Sequence, residues 1–350
     1  MSERVILFNR SGVPQMDLDA PVVRNWKLEH AVSAERAVFE LDPSDVPGGM
    51  LDYGNFIGVF SDDLPNWAGV IWPPQTWPGG GKMLVEARGA EFILNFRVSG
   101  VNDRISGTPG FIFSKLLNSI QSQPWRAHLP LLIIEEENII HAGYNQTITY
   151  HRERLFDAAN DLAEGQHQYW WLEPELDPRD RLRLVAHWQV RRGRKWDNRL
   201  IEGLNFSPEE VLETGELANR LYAIGEHKGW THPLEVIEED KESSSDYGLI
   251  EDVFMDEGCG SATVLSKKAR SRLKKRAQPR IVITGSVYKT PYPEIGDLVD
   301  VQLSYELYTA KGVNLGSLVN DIQLTEMSYS SVEKIAQVTL DSAGIDDEGE

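Results

Sequence analysis

Eight histidines and 54 acidic residues in a chain of 350 invite a search for a metal site or a hydrolase. The patterns those sites need are missing. No HExxH helix sets two imidazoles one turn apart, no GxSxG elbow lifts a serine, and no GxxxxGK[ST] loop cradles phosphates. His141 follows Glu135-Glu-Glu137 in what reads as a strand, and His151 stands two residues before Glu153. Neither spacing puts two ligands on one helix face, as i and i+4 would. Cys259, in Asp256-Glu-Gly-Cys-Gly260, precedes a helix whose N-terminus would favour a thiolate. The adjacent acids oppose that, no histidine is marked as its base, and Gly258 and Gly260 read as a turn. Carboxylate pairs such as Glu173 and Glu175 could act as acid and base, but in so acidic a chain they single out nothing. No catalytic, cofactor-binding or metal-binding residue is assigned, and no cofactor is expected.

Two further groups could bind rather than react. Trp67, Trp72 and Trp77 recur every five residues, and aromatic platforms stack sugars or bases. Along one strand, however, i and i+5 point to opposite faces, so packing is the plainer reading. The second group is a basic helix over 262–276, with Leu265, Ala269 and Leu273 on one face and Lys267, Lys268, Arg270, Arg272, Lys274, Lys275 and Arg276 over the rest. It is the one nucleic-acid footprint in the chain. The acidic run 235–257 lies next to it in sequence, so a charge match within or between subunits is the simpler partner.

These residues hang on an order of elements. From residue 4 to about 107, short apolar runs alternate with turns: Val5-Ile-Leu-Phe8, Trp26-Lys-Leu-Glu-His30, Ala37-Val-Phe-Glu-Leu41, Asn55-Phe-Ile-Gly-Val-Phe60, Trp67-Ala-Gly-Val-Ile-Trp72 and Met83-Leu-Val-Glu-Ala87. Such spacing predicts a small antiparallel barrel or sandwich. At Thr108-Pro109 the pattern turns helical, with Ile112, Phe113, Leu116, Leu117 and Ile120 on one face. A strand over 139–149, a helix over 153–164 and strands at 169–172 and 182–186 follow, so 108–200 reads as an α+β unit. The segment 201–340 reads as a second β-rich body. Within it the acidic run 235–257 is expected to be an exposed mobile loop ahead of the basic helix, and 341–350 is expected to be a disordered acidic tail.

Composition narrows the class. With 41% hydrophobic residues, there is ample material for two or three cores. The longest aliphatic run, 129–134, is far short of the ~20 residues that span a bilayer. The N-terminus, with Glu3 and four consecutive apolar residues, lacks a signal peptide's apolar region, so no Sec-type export or membrane insertion is expected. A single cysteine excludes an intrachain disulfide and a zinc finger. A net charge of −19 excludes proteins that coat duplex DNA through a basic face.

The order of segments resembles the tail hub (baseplate hub or minor tail) proteins of long-tailed bacteriophages. The resemblance is carried by Val5 to Phe8, Trp26-Lys-Leu-Glu-His30, Ala37-Val-Phe-Glu-Leu-Asp-Pro43, Trp67-Ala-Gly-Val-Ile71, Leu84-Val-Glu-Ala-Arg88 and Leu94-Asn-Phe-Arg97. It continues in Asn219-Arg-Leu-Tyr-Ala-Ile-Gly225, Tyr247-Gly-Leu-Ile-Glu251, the helix through Ala269 and Leu273, Ile295-Gly-Asp-Leu-Val299 and Glu326-Met-Ser-Tyr-Ser330. It implies a mainly β fold with an α+β insertion and two small antiparallel β-barrels per chain, like the hub of contractile tails and type VI spikes. It further implies a non-enzymatic homotrimeric ring at the virion tail tip, assembled in the host cytoplasm. That ring would adapt a sixfold tube to a threefold tip and pass DNA through its lumen without specific binding. The implied partners are the distal tail protein or tube ring, a central fibre or spike, and the tape measure protein. Some relatives carry a C-terminal peptidase or cell-wall hydrolase that this length does not hold. The alternatives are a carbohydrate- or receptor-binding tail component using the tryptophans and an acidic glycoside hydrolase.

Overall fold

The computed structural model describes the chain except for residues 1–2, 19–21, 28–34, 63, 73–75, 80, 122–133, 167, 215–216, 227–232, 257–258, 289–290, 309–313 and 343–350. Most of the apolar run 129–134, Gly258 and most of the acidic tail therefore lie outside the described residues.

The N-terminal lobe is built from β1 (Arg4–Phe8), β2 (Pro14–Leu18), β3 (Val22–Lys27), β4 (Arg36–Leu41), β5 (Phe56–Phe60), β6 (Trp67–Ile71), β7 (Thr76–Gly79) and β8 (Lys82–Gly89). They pair in the order β3-β4-β8-β6-β5-β1-β2, with β7 on β8. Every residue of β5 and β6 is buried, because the sheet carries a core on each side. In β1, Val5 and Leu7 face one core while Ile6 and Phe8 face the other. That is why these strands read as continuous apolar runs rather than alternating ones. Gly69 in β6 lies two residues from Trp67, on the same face. A Cβ there would sit 2.4 Å from the Trp67 ring and 2.5 Å from the Arg88 carbonyl oxygen. The indole occupies the space a side chain would need, which accounts for Trp-x-Gly.

The second core fills the α+β unit. After a 3-10 segment (Ala90–Phe96) come β9 (Val101–Gly107), α1 (Pro109–Gln121), β10 (Ile134–Ile139), β11 (Gln146–His151), α2 (Leu155–Glu164), β12 (Tyr169–Leu176) and β13 (Leu182–Gln189). Ile112, Phe113, Leu116 and Leu117 of α1 meet Leu155, Ala159 and Leu162 of α2 and Trp170, Leu184 and Trp188 of the sheet β10-β13-β12. The single strand expected over 139–149 is instead two, β10 and β11, with His141 in the connection rather than in a strand. Gly143, at φ +101°, marks that break. β9 pairs with β11, so it belongs with this unit rather than with the first β body.

The C-terminal lobe holds β14 (Lys195–Ile201), β15 (Phe206–Thr214), then an insert of β16 (Arg220–Ile224), β17 (Glu235–Glu239), α3 (Lys241–Tyr247), β18 (Glu251–Met255) and α4 (Ala262–Arg276). The lobe resumes in β19 (Arg280–Val287), β20 (Leu298–Tyr308), β21 (Asn314–Ser330) and β22 (Ile335–Asp341). Its strands pair β15-β19-β22-β21-β20-β14, and β21 also pairs β3, joining both lobes into one fourteen-stranded sheet. At that seam Arg24 of β3, fully buried, pairs with Glu3 and lies 5.2 Å over the Tyr329 ring. The fold is mainly β, with several antiparallel sheets.

The acidic run 235–257 is not a loop. β17 and β18 flank β16 in a three-stranded sheet, and Asp240 caps α3 by accepting from the Ser243 N–H at 2.9 Å. Leu221, Ala223 and Phe254 pack on Leu265, Ala269 and Leu273 of α4. The charge density that suggested mobility is matched across space: Arg270 meets Glu238 at 2.8 Å, Lys268 meets Asp256 at 2.8 Å, and Arg276 pairs with Asp252. Among the described residues no helix is long and apolar enough to cross a membrane.

Candidate functional site

Two backbone segments cross where the lobes and the α+β unit meet. Arg192-Gly-Arg194 leaves β13 for β14 and touches Glu294-Ile-Gly-Asp297, which leads into β20. A Cβ on Gly193 would lie 2.0 Å from the Gly296 carbonyl carbon, and one on Gly296 would lie 2.4 Å from the Arg192 carbonyl oxygen. Their φ values, +86° and +92°, also favour glycine. Asp297 fixes the crossing by accepting from the N–H groups of Arg194 at 2.9 Å and Glu294 at 2.8 Å. The Ile295-Gly-Asp segment is thus a backbone clamp.

Beside the crossing is a cleft of about 130 Å³ lined by Glu35, Trp67, Glu91, Trp171, Arg192 and Glu294, among others. Glu35 comes from the segment before β4 and Glu91 from the 3-10 turn after β8. Gly89 lets them approach: a Cβ there would stand 2.9 Å from Glu91 Oε2 and 3.0 Å from Glu35 Cβ. Glu91 accepts from the Leu172 N–H at 3.1 Å, tying β12 to the N-terminal lobe. The Arg192 guanidinium stands 3.8 Å from Glu35 and 5.0 Å over the Trp171 ring. Trp171 stacks on His187, whose Nε2 is 2.8 Å from Glu173.

Burial pushes the Glu35 carboxyl up to about 8, the like charge of Glu91 adds to the rise, and Arg192 opposes it. Glu91 is raised too, first by burial, as are Glu294 and Asp297. Two carboxylates with raised affinity for protons in one cleft would suit acid–base chemistry. Ligand pockets span roughly 300–1,000 Å³, and this cleft has less than half the lower bound. Its carboxylates are also engaged with Arg192 and a backbone N–H. A neighbouring cavity of about 300 Å³ shares Pro65 and Glu294 and includes Asp62, Trp196, Asp197 and Asp297, but Asp297 is committed to the clamp. The arrangement is a joint that holds three bodies in register.

The residues singled out by sequence do not converge. Trp67 is in the core; Trp72 packs with Tyr53, Phe92 and Phe96 at ring distances of 4.4–5.5 Å; the Trp77 side chain lies outside the described residues. A three-tryptophan platform is ruled out by the burial of Trp67. Cys259 is buried, with its Sγ 3.5 Å from the Ser261 carbonyl. His141 is exposed in the β10–β11 connection and His151 at the end of β11. Glu173 meets His187, and Glu175 pairs with Arg183. No group of three His, Cys, Asp or Glu among the described residues is placed to hold a metal. Glu35, Glu91, Arg192 and Gly193 were not marked by sequence. The Arg191-Arg-Gly-Arg194 string, with glycine set among cations, was the one available signal.

No protein-family model and no curated protein matches the chain. Solved structures do. Prophage tail protein gp18 from Listeria monocytogenes EGD-e matches with TM-score 0.60 and 13% identity, over 97% of this chain and 94% of that one. The 43 kDa tail protein of prophage MuSo2 from Shewanella oneidensis matches with TM-score 0.58 and 10% identity, over 96% and 98%. The E. coli c3393 protein, a component of the type VI secretion system with structural similarity to T4 bacteriophage tail proteins gp27 and gp5, matches with TM-score 0.50 and 10% identity, over 97% and 74%. The mainly β architecture is therefore the fold of prophage tail proteins and of a type VI secretion component, matching the tail hub resemblance carried by the sequence.

Proposed function

We propose that the chain is a structural hub protein of a bacteriophage tail, working as a homotrimeric ring at the tail tip. The observation that carries this is the extent of the likeness: two prophage tail proteins are matched over almost their whole length and almost all of this chain. The topology supports the finer reading. The N-terminal path begins at β3 and ends at β2, and the C-terminal path begins at β15 and ends at β14. In the C-terminal path both end strands have a free edge among the described residues and are consecutive in sequence, the arrangement expected of a sheet that closes into a small barrel. In the N-terminal path β3 is held on both edges, by β4 and β21, and the barrel reading there rests on the likeness to tail hub proteins. We read these as the two barrels of a hub subunit, flanked by the α+β unit and the insert. Three subunits then present six comparable bodies, which lets a threefold tip meet a sixfold tube.

The net charge of −19 suits a conduit whose lumen repels DNA phosphates. The partners of such a ring are the distal tail protein or tube ring, the central fibre or spike and the tape measure protein, in a virion assembled in the host cytoplasm. In this reading the role is non-enzymatic, as the likeness to structural tail proteins suggests. Light scattering with class averages of the same sample tests it: a threefold ring with a central hole is expected. A chain that stays monomeric with its tube partner present, or that is missing from purified particles, would refute it.

A further inference from the structure

The three-stranded sheet of the insert has two faces, and only one is covered. Leu221, Ala223 and Phe254 turn toward α4 and are buried. On the other face the register stacks three rows: Glu239, Arg220 and Glu251; Ile237, Tyr222 and Val253; Glu235, Ile224 and Met255. A sheet face left to water is ordinarily polar. Here its centre is apolar, with Ile237 52%, Val253 53% and Met255 66% exposed. The charged positions fill the first row and one end of the third, so the apolar patch is bordered by charge on two sides, the anatomy of a docking surface.

The rim selects the partner. It carries three carboxylates and one cation, and Arg220 is already held by Glu239 at 2.8 Å and Glu251 at 3.2 Å. The Tyr222 hydroxyl donates to Glu251 at 2.8 Å, fixing that side chain at the edge of the apolar row. The surplus is negative. A second copy, at −19, meets this rim with like charge. Its cationic helix α4 would offer no apolar surface, because Leu265, Ala269 and Leu273 are turned inward. We propose that this face docks a different protein, one presenting apolar side chains bordered by lysine or arginine.

The inference goes beyond the tail-hub reading and rests on it only for the particle in which the partner is sought. The test places the photo-crosslinking residue p-benzoylphenylalanine at position 255 in the full chain, assembled into particles and irradiated. The expected product joins the chain to another tail protein through a segment of apolar residues flanked by lysine or arginine. Adding Ile237→Glu and Val253→Glu, both at exposed positions, is expected to lower that product about tenfold or more, with the chain's circular dichroism unchanged. Crosslinks to another copy, or none from particles that contain the chain, overturn the docking surface while leaving the hub reading intact. Particles without the chain overturn the hub reading and this inference with it.

Discussion

Burial in the joint opposes ionisation of the Glu35 carboxyl, and Glu35→Gln isolates its effect. Its side chain is 9% exposed, it faces Glu91 from the 3-10 turn and Arg192 from the β13–β14 connection, and Glu173 and Glu294 line the same cleft. Its affinity for protons rises from the ordinary 4.5 to about 8. A carboxyl raised in the folded state stabilises fully below the unfolded value and loses that contribution as pH climbs through the folded one. Stability therefore falls between pH 4.5 and 8. At about 1.4 kcal/mol per unit, the ceiling is about 5 kcal/mol. Glu91 titrates together with Glu35, so the part that belongs to Glu35 alone is smaller, about 2 kcal/mol. Urea unfolding at pH 5, 7 and 9 should show Glu35→Gln close to the parent at pH 5 and progressively more stable at pH 7 and 9. Parallel curves for the two proteins across that range would refute the assignment of the pH dependence to this carboxyl.

Three other outcomes follow from the packing. Gly69→Ala drives a methyl into the Trp67 ring and the Arg88 carbonyl and should lower stability by at least about 1–3 kcal/mol, read as a shift in the urea midpoint. Asp297→Ala leaves the partly buried N–H groups of Arg194 and Glu294 without their acceptor, which should cost about 1–3 kcal/mol and raise hydrogen exchange at both amides. Leu265→Ala empties a fully buried position between α4 and its sheet. It should cost about 2–5 kcal/mol, with proteolysis appearing first within 217–277. By contrast, 1 M salt should leave that insert protected, because exposed ion pairs contribute about 0.2–1 kcal/mol each and the apolar contacts with α4 remain.

Local pattern was enough for much of the chain. Apolar spacing at Ile112, Phe113, Leu116 and Leu117 marked α1, and Leu265, Ala269 and Leu273 marked α4 with the bounds the structure shows. The order of short strands, with Trp67-Ala-Gly-Val-Ile71 and Ile295-Gly-Asp-Leu-Val299 among them, carried the likeness to tail hub proteins. These signals survive because they are short-range: a helix face repeats within four residues, and a glycine forced by its neighbour's indole sits two residues away. The error over 235–257 has the complementary cause. The neighbouring basic helix was the expected charge partner and does pair with the run through Lys268, Arg270 and Arg276. What local reading missed is that β17 and β18 find their strand partner in β16, at residues 220–224.

The joint was out of reach for the same reason. Glu35, Glu91 and Arg192 are separated by up to 157 positions, as their numbering shows, and none belongs to a local pattern. Only the closing of β4 onto β8, and of the β13–β14 connection onto the segment before β20, brings them together. Burial of the kind that raises the Glu35 carboxyl depends on what covers a group from every side, which no stretch of sequence specifies. The sequence by itself determined the helices, most of the strands, the acidic balance and the resemblance to tail hubs. Tertiary structure decided that Trp67 is core, that the acidic run folds under a basic helix, and that one sheet face of the insert is left apolar and open. Each of those depends on contacts between segments distant in the chain.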